Sequence, residues 1–351
     1  MRPPLISGPW TLADLKSEKI GSPKNNLKVF SCFHCGGGST MGYKLAGFNV
    51  LGGVEIDPEM MGIYRLNHNP THSYLMGVQE FKNISDSELP KELFELDILD
   101  GSPPCSSFSM AGSREKKWSV ETKFREGQSV QVLDDLFFHF IDIAKKLKPN
   151  VVVAENVKGL ILGNAKGYVK EIFSAFNNAG YDCQLFLLNA SAMGVPQARE
   201  RTFFIARNRS LKLQPIQLDF NETTISTELA LLGIDEKGRV CSEDQKRWYY
   251  KTPRGKAFSF AHPKGSWFNS FKLDPNKVAP TVTASAGQSA SGLYHWSEPR
   301  HLSVSEYRRL QSFPEDYQFN NISGSYVCGM SVPPLMMQRV ADQIAKQWFN
   351  L

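Results

Sequence analysis

Through residue 206 the chain alternates short apolar runs with segments whose apolar positions repeat at helical spacing. Short apolar runs between polar boundaries are typical of strands that are covered on both faces. These runs predict strands at residues 29–33, 49–56, 96–99, 151–154, 183–188 and 202–206.

The clearest helical pattern lies between residues 133 and 147, and Pro149 follows its end. Its apolar positions recur at intervals of three and four, at Leu133, Leu136, Phe137, Phe140, Ala144 and Leu147. Further helices are predicted at residues 39–46, 59–67, 168–179 and 334–349. Because strands and helices alternate, we expect an α/β fold with a mostly parallel sheet and right-handed crossovers.

Two segments depart from this alternation. Residues 106–130 form a long polar stretch with five Lys and Arg residues, and a loop of that length in a compact domain is usually functional or disordered. Residues 209–275 mix polar, basic and aromatic side chains without a regular pattern. We expect them to belong to a second, smaller domain.

Composition narrows the class of protein. Of 351 residues, 41% are hydrophobic and 21% are charged, which allows a sizeable core and excludes a globally disordered chain. The formal net charge of +5 permits a nucleic-acid partner without requiring one. Six cysteines are too few for a disulfide framework and indicate a reducing compartment.

The sequence contains no pattern that addresses it to a membrane or to secretion. No run reaches the roughly 18 apolar residues of a membrane helix, and residues 1–26 lack a cationic flank leading into an apolar block. We therefore expect a soluble, cytoplasmic protein without a membrane partner.

A glycine-rich turn joins the first predicted strand to the first helix. Its residues are Phe33, His34, Cys35, Gly36, Gly37 and Gly38. Glycines let the backbone approach a ligand closely, and Glu55, 17 residues after Gly38, ends the next strand where an acid typically binds a ribose. The spacing indicates an adenosine-containing cofactor, and the absence of G-x-G-x-x-G disfavours NAD. A tight turn beside a surface Glu would explain the stretch equally well.

Three further stretches could carry chemistry. Pro103 and Pro104 precede Cys105 after a predicted parallel strand, where a thiol of fixed geometry can act as a nucleophile; a buried structural cysteine is the alternative. Glu155 directly follows an apolar strand and is either a general acid or a cap of the next turn.

Arg199 and Arg201 alternate, so an extended backbone would direct both guanidinium groups to one side. Such a pair suits a phosphate or a base carbonyl, although a solvated charged strand is the simpler interpretation.

Cys32 and Cys35 form a single Cys-X-X-Cys pair without a second pair at zinc spacing, so we expect neither a metal site nor a redox pair.

In this order and spacing, the motifs resemble those of the DNA (cytosine-5) methyltransferase family across about residues 28–349. The resemblance covers the glycine motif FHCGGGSTMG, the ribose-binding acid Glu55, the nucleophile motif ending in Cys105, the Glu155-Asn156-Val157 motif, the Gln197–Arg201 motif, and residues 278–283 and 329–334. Four positions depart from the family: Cys35 stands in place of Gly, Gly77 near an expected Asp, Ser106 in place of Gln and Met330 in place of Asn.

The resemblance implies a Rossmann-like S-adenosyl-L-methionine methyltransferase fold with a smaller target-recognition domain. The implied organisation is an N-terminal extension at 1–27, a catalytic domain at 28–208 plus 327–351, and a target-recognition domain at 209–326. The implied cofactor pocket consists of Phe33, Gly36, Gly37, Gly38, Glu55, Ile56, Leu136, Ser331 and Val332. The implied catalytic residues are Cys105, Glu155, Arg199 and Arg201, with Pro104 and Asn156 as structural support of the site. No metal ion is implied.

By this resemblance, the Cys105 thiolate adds to carbon 6 of cytosine while Glu155 holds and protonates ring nitrogen 3, and carbon 5 then takes the methyl group. Arg201 and Arg199 would hold the carbonyl oxygen of the base. The cytosine must leave the duplex stack, the basic loop 106–130 would close over it, and residues 209–326 would read a short site in the major groove. The implied partner is double-stranded DNA, bound by a monomer of a restriction–modification system.

Three alternatives remain open from the sequence. A tRNA cytosine-5 methyltransferase shares the chemistry but usually carries Cys-Phe-Thr where this chain has Cys241, Ser242 and Glu243, so DNA is favoured. A catalytically silent DNA-binding homologue would have lost the nucleophile or the acid. A nicotinamide oxidoreductase would use the glycine turn alone.

Overall fold

The computed structural model describes residues 9–16, 25–104, 121–122, 131–132, 135–162, 166–286 and 291–351. The chain folds into two units, each with its own packed interior. The sheet unit comprises Gly21–Leu188, Glu200–Asp219 and Gln338–Leu351, and the mixed unit comprises Met1–Ile20, Asn189–Arg199 and Phe220–Met337.

A seven-stranded sheet forms the centre of the sheet unit. Its strands are β1 Lys28–Cys32, β2 Asn49–Glu55, β3 His72–Leu75, β4 Ile98–Gly101, β5 Val151–Val157, β6 Tyr181–Asn189 and β7 Glu200–Asn208. They lie in the order β3-β2-β1-β4-β5-β7-β6. Strands β1 to β5 pair in parallel, and β7 is antiparallel to β5, which confirms the predicted α/β class.

Five helices belong to the sheet unit: α1 Gly38–Leu45, α2 Pro58–His68, α3 Val78–Phe81, α4 Leu136–Leu147 and α5 Lys166–Asn178. Helix α4 packs against the sheet through the apolar stripe from Leu136 to Leu147, and its first residue Leu136 is fully buried. Leu133, the first position of the predicted stripe, lies outside the described residues. Helix α2 begins after Asp57, whose side chain accepts hydrogen bonds from the amides of Glu59 and Met60.

The strand order creates one position suited to a ligand. From β1 the chain moves outward to β2 and β3 and then returns to β4 on the other side of β1. In open parallel sheets, ligands bind at the carboxyl ends of the strands where the order reverses in this way. The glycine turn follows β1, and Pro103 and Pro104 follow β4, so both motifs flank this point.

The mixed unit contains short strands and helices. Strands β8 Lys256–Ala257, β9 Ser270–Lys272 and β10 Gly292–Tyr294 form one sheet, and Gln197–Ala198 pairs in parallel with Ala279–Pro280. The helices are α6 Thr227–Leu231, α7 Glu243–Lys251, α8 Val304–Leu310, α9 Gly324–Met330 and α10 Pro334–Trp348, of which α10 continues into the sheet unit.

The N-terminal extension contributes to the mixed unit through residues 9–16. Trp10 is 2% exposed, and its Nε1 donates to the carbonyl oxygen of Ser312 at 3.0 Å. A short 3-10 helix, Leu12–Lys16, follows. Across the described ranges, no helix combines the length and the apolar character needed to span a bilayer.

Candidate active site

The glycine turn is held to the end of β2 by Glu55. The amide of Cys35 donates to Glu55 Oε2 at 3.0 Å, while Oε1 accepts the amides of Ile56 at 2.9 Å and Asp57 at 3.1 Å. Cys35 has φ of 48°, a left-handed conformation that glycine would adopt without strain. The departure from the family at Cys35 is thus accommodated by a strained backbone within an otherwise hydrogen-bonded turn.

The Glu55 carboxylate fits a cofactor that carries ribose hydroxyls. It is 9% exposed, and burial raises its pKa while the three backbone amides oppose that shift. Each carboxylate oxygen accepts about two hydrogen bonds, so Oε1 is filled by the two amides and Oε2 can accept one further hydrogen bond, as from a ribose hydroxyl. Together with the position of the turn at the strand-order reversal, this acceptor fits an adenosine-containing cofactor.

Aromatic rings pack against the glycine turn. The rings of His34 and Tyr64 stack with their centroids 3.7 Å apart, and Tyr64 OH shares a hydrogen bond with Thr40 at 3.0 Å. Burial lowers the pKa of His34 to about 4, so the ring is neutral at physiological pH. Gly37 is required here, since it has φ of 78° and a Cβ would lie 2.3 Å from His68 Nε2. The sequence analysis gave no role to these rings.

A buried carboxylate lies between β1, β4 and α1. Asp100 is 1% exposed and pairs in register with Ser31, whose Oγ donates to Asp100 Oδ2 at 2.7 Å. Tyr43 OH donates to Oδ1 at 3.3 Å. Burial raises the pKa of Asp100 to about 7 although these hydroxyls oppose the shift. The sequence analysis missed Asp100, and its signal was a charged residue directly after two apolar strand positions.

Glu155 and Arg201 form an ion pair at the carboxyl end of β5. Arg201 Nε lies 2.9 Å from Glu155 Oε1. Because Phe203 is the register partner of Glu155, Arg201 occupies the diagonal position on the same face of the antiparallel pair. Burial lowers the pKa of the Arg201 guanidinium, and the Glu155 carboxylate opposes that shift. The structure therefore brings together two of the residues predicted to be catalytic.

The next residue on β5 contacts the loop that follows β4. Asn156 is 4% exposed, and its Nδ2 donates to the carbonyl oxygen of Pro103 at 2.9 Å. Its Oδ1 accepts the amide of Val157 at 2.8 Å, which fixes the orientation of the side-chain amide. The contact lies one residue before Pro104 and two before Cys105.

Part of the predicted site lies outside the described residues. This applies to Cys105, to Ser106 and to most of the basic loop 106–130. Within that loop Glu121–Thr122 pairs in antiparallel fashion with Gln131–Val132.

The sequence predicts that an extended backbone would direct Arg199 and Arg201 to one side, and the structure interrupts the strand at Arg199. The strand Gln197–Ala198 ends before Arg199 and pairs with Ala279–Pro280, whereas β7 begins at Glu200 and pairs with β5. The backbone thus leaves the mixed unit between Arg199 and Arg201, and the two guanidinium groups have different partners.

Arg199 is bonded to backbone carbonyls of the mixed unit. It is 2% exposed, and Nη1 donates to Val282 O at 2.8 Å. Nη2 donates to Gly329 O at 2.9 Å and to Ser331 O at 3.1 Å. These contacts use N–H groups of both terminal nitrogens and join three segments of the mixed unit.

The remaining residues predicted for the cofactor pocket belong to both units. Phe33, with φ of 56°, and Ile56 are half-buried in the sheet unit, and Leu136 is part of its core. Ser331 and Val332 are buried in the mixed unit, where Ser331 Oγ donates to Val327 O at 2.8 Å. The neighbouring Met330 is 41% exposed.

Within the parts of the chain that the structure describes, no group of three or more His, Cys, Asp or Glu side chains is arranged to hold a metal ion.

The sequence profile described as "C-5 cytosine-specific DNA methylase" matches residues 27–346. The chain belongs to this family. It is therefore a DNA (cytosine-5) methyltransferase whose methyl donor is S-adenosylmethionine, as predicted. The nicotinamide oxidoreductase alternative is thereby excluded.

Relatives of the methyltransferase match over nearly their whole length. The type II methyltransferase M.FnuDI of Fusobacterium nucleatum is 31% identical, covering 91% of this chain and 94% of its own. M1.HphI of Haemophilus parahaemolyticus is 27% identical, covering 93% and 88%. A solved putative DNA modification methyltransferase encoded within an Escherichia coli prophage has a TM-score of 0.73 at 21% identity, covering 93% of this chain and 100% of its own. This similarity confirms the predicted Rossmann-like methyltransferase fold.

Proposed function

We propose that Cys105 is the nucleophile and Glu155 the acid of the cytosine-5 methyl transfer. The observation that carries this assignment is the hydrogen bond from Asn156 to Pro103 O. It fixes the loop after β4 to the residue beside Glu155, two residues before Cys105. The acid lies on β5, and the chain that leads to Cys105 leaves the neighbouring parallel strand β4 at the same edge of the sheet.

The chemistry explains why these residue types are needed. Carbon 5 of cytosine is too weak a nucleophile to accept a methyl group unaided. Addition of the Cys105 thiolate to carbon 6, with transfer of a proton from Glu155 to nitrogen 3, converts the ring into a neutral enamine whose carbon 5 is nucleophilic. After methylation, a base removes the proton from carbon 5, the bond from carbon 6 to Cys105 breaks and releases the thiolate, and the proton on nitrogen 3 returns to Glu155.

Arg201 and Arg199 have different roles in this proposal. Arg201 orients the Glu155 carboxyl group through its 2.9 Å contact and holds the carbonyl oxygen of the base. Arg199 acts as a positioning residue within the mixed unit, because carbonyl groups already bind its terminal nitrogens.

Bound S-adenosylmethionine supplies an electrophilic methyl group on its sulfonium. We assign the ribose hydroxyls to Glu55, the methionine portion to Gly36, Gly37 and Gly38, and the adenine to Phe33 and Ile56. The resemblance to the family adds Leu136, Ser331 and Val332 to the residues assigned to the cofactor. The support for this assignment is the hydrogen-bonded turn and its place at the reversal of strand order.

The biological setting is proposed from the relatives. The matched type II methyltransferases favour a restriction–modification enzyme that acts as a cytoplasmic monomer on double-stranded DNA. In it, residues 209–326 would contain the target-recognition domain and residues 28–208 plus 327–351 the catalytic domain.

A trapping experiment tests the nucleophile. Duplex DNA containing 5-fluorocytosine should form a covalent adduct with the wild-type protein and S-adenosylmethionine, because the fluorine cannot leave as the proton does. The adduct should disappear in Cys105→Ser, and an undiminished adduct would refute the assignment.

A second experiment tests the substrate. Labelled cofactor is offered with duplex DNA and with tRNA, and label in tRNA alone would overturn the choice of DNA.

A further inference from the structure

One stretch of the mixed unit has an extreme local composition. Between residues 245 and 273 the chain has seven Lys and Arg residues and eight Phe, Tyr and Trp residues, and it has no Asp or Glu. The whole chain is nearly balanced, with 40 basic and 35 acidic residues. Basic residues interleaved with aromatic ones are typical of surfaces that bind nucleic acid. We call residues 245–273 the acid-free segment.

Within this segment, residues 258–269 connect the antiparallel strands β8 and β9, and we call them the aromatic loop. Its conformation is fixed by internal contacts. Phe258 is fully buried and stacks on Trp267, with their ring centroids 6.2 Å apart. His262 Nδ1 accepts the amides of Lys264 at 3.2 Å and Ser266 at 3.3 Å.

A contact with α7 also orders the loop. The rings of His262 and Trp248 lie 4.5 Å apart between their centroids, and Trp248 is itself 7% exposed. The loop is thus anchored by Phe258, His262 and Trp267. Its other two rings are not needed for this anchoring.

Those two rings face the solvent. Phe260 is 65% exposed and Phe268 is 66% exposed, and Lys256 Nζ lies 5.7 Å from the centre of the Phe260 ring. Lys264, between the two rings in sequence, is also exposed. An ordered loop that exposes two phenyl rings among cations presents an apolar surface that folding alone does not explain.

The charge of this surface selects its partner. A second copy of the chain would oppose cations with cations, and an apolar ligand would leave the ammonium groups unpaired. A duplex offers phosphates to Lys256 and Lys264, and it offers base faces to the phenyl rings where a base step is partly unstacked or a base leaves the stack. Aromatic side chains can also insert between base steps and partly unstack them.

We propose that Phe260 and Phe268 stack on nucleobases of the bound duplex DNA while Lys256 and Lys264 contact its phosphates. This inference rests on the proposed function and names the part of the mixed unit that grips the substrate. Stacking is sequence-tolerant, because every base has a π-face. The aromatic loop would therefore hold or open the duplex near the target, and other residues would read the sequence.

The test compares two polyanions, one with bases and one without. The affinity of the full-length protein is measured for a duplex DNA pool of randomised sequence and for heparin. We expect Phe260→Ala and Phe268→Ala each to weaken DNA binding about 5- to 100-fold, the usual range for loss of one base–aromatic stack, and to leave heparin binding unchanged. Lys256→Ala and Lys264→Ala should weaken both, each reducing the slope of log K against log salt on DNA by about 0.9.

Leu232→Ala is the matched control. Leu232 is 71% exposed in the same unit but outside the acid-free segment, so its removal should change neither affinity. Equal losses on DNA and heparin for the Phe variants, or no loss on DNA, would overturn base stacking. With tRNA measured as a third polyanion, a loss of affinity confined to tRNA would overturn the assignment to DNA and indicate RNA binding.

Methyl transfer to the same duplex pool, which contains every short site, separates this inference from the proposed function. If the wild-type protein methylates the pool and the Phe variants bind it normally, only the role of the loop is wrong. If the wild-type protein methylates no DNA, the proposed function itself fails.

Discussion

Arg201 donates from Nε to the Glu155 carboxylate at 2.9 Å, across the diagonal of the antiparallel pair formed by β5 and β7. This contact fixes the orientation of a carboxyl group that is 8% exposed and compensates its charge. A buried carboxylate held in this way can present one oxygen to a ring nitrogen with little loss of side-chain freedom. The pair therefore places an oriented carboxyl group at the edge of the sheet where the Pro-Pro-Cys loop begins.

Replacing Glu155 by Gln should abolish most of the activity and preserve the fold. The amide can still accept from Arg201 but cannot supply a proton, so kcat should fall about 10²- to 10⁴-fold, the usual contribution of a general acid. Methyl transfer from labelled cofactor measures kcat, and fluorescence anisotropy should show unchanged DNA affinity. Glu200→Gln is the control, because Glu200 pairs with Lys158 at the surface and should retain full activity.

Replacing Asn156 by Ala should cost both stability and rate. Loss of the hydrogen bond to Pro103 O lowers the free energy of unfolding by about 1 kcal/mol and frees the loop before Cys105, so kcat should fall more than KM changes. Asn150→Ala offers a matched comparison, since Asn150 Nδ2 donates to Asp97 Oδ1 at 3.0 Å just before β5. Urea denaturation should give similar losses for both variants, and an equal loss of kcat would argue against a positioning role for Asn156.

Replacing Arg199 by Lys should destabilise the protein without impairing catalysis at low temperature. A lysine cannot bind all three carbonyl groups, and each hydrogen bond from a charged donor contributes about 1.5–3 kcal/mol. We expect a lower unfolding midpoint and a near-normal kcat/KM well below that midpoint. The opposite result, an unchanged unfolding midpoint with a reduced kcat/KM, would support a contact between Arg199 and the base.

Asp100 should make stability depend on pH in an unusual direction. Its folded-state pKa of about 7 lies above the ordinary value of 3.8, so the folded state holds a proton that the unfolded state releases. The free energy of unfolding should therefore fall as pH rises from about 4 to 7, by at most on the order of 4 kcal/mol.

Asp100→Asn should remove this pH dependence. The excess of its free energy of unfolding over that of the wild-type protein should be largest above pH 7. Denaturant titrations at several pH values measure the effect. Asp142→Asn is the control, because the Asp142 side chain is 54% exposed and should leave the slope as it is. The explanation by a buried carboxyl group would be contradicted by two results together. The free energy of unfolding of the wild-type protein would rise from pH 4 to 7, and Asp100→Asn would show the same rise.

Local sequence pattern was sufficient for most elements of the sheet unit. The stripe from Leu136 to Leu147 predicted α4, and the run of valines from Val151 predicted β5, because both patterns report which faces are buried. Single-residue alternation failed at Arg199, since pairing with residues more than eighty positions away ends one strand there. Strand breaks of this kind are decided by distant partners.

Within the site, motif spacing was enough to select Glu55, Glu155 and Asn156. It could not predict that Arg201 lies diagonal to Glu155, because that depends on the register of two strands distant in sequence. Nor could it predict the burial of Asp100, whose hydroxyl partners come from β1 and α1. The sequence thus identifies the chemical groups, and tertiary packing determines their neighbours and their charge.

The acid-free segment also affects how the protein behaves outside its reaction. The segment has seven cations and no carboxylate of its own, although Lys246 pairs with Glu243 just outside it. Such a segment attracts polyanions of any sequence at low ionic strength. Cell extracts prepared at low salt should therefore yield protein contaminated with host nucleic acid, visible in its ultraviolet absorbance. A wash at high salt should remove the contaminant and leave a preparation suitable for the affinity measurements.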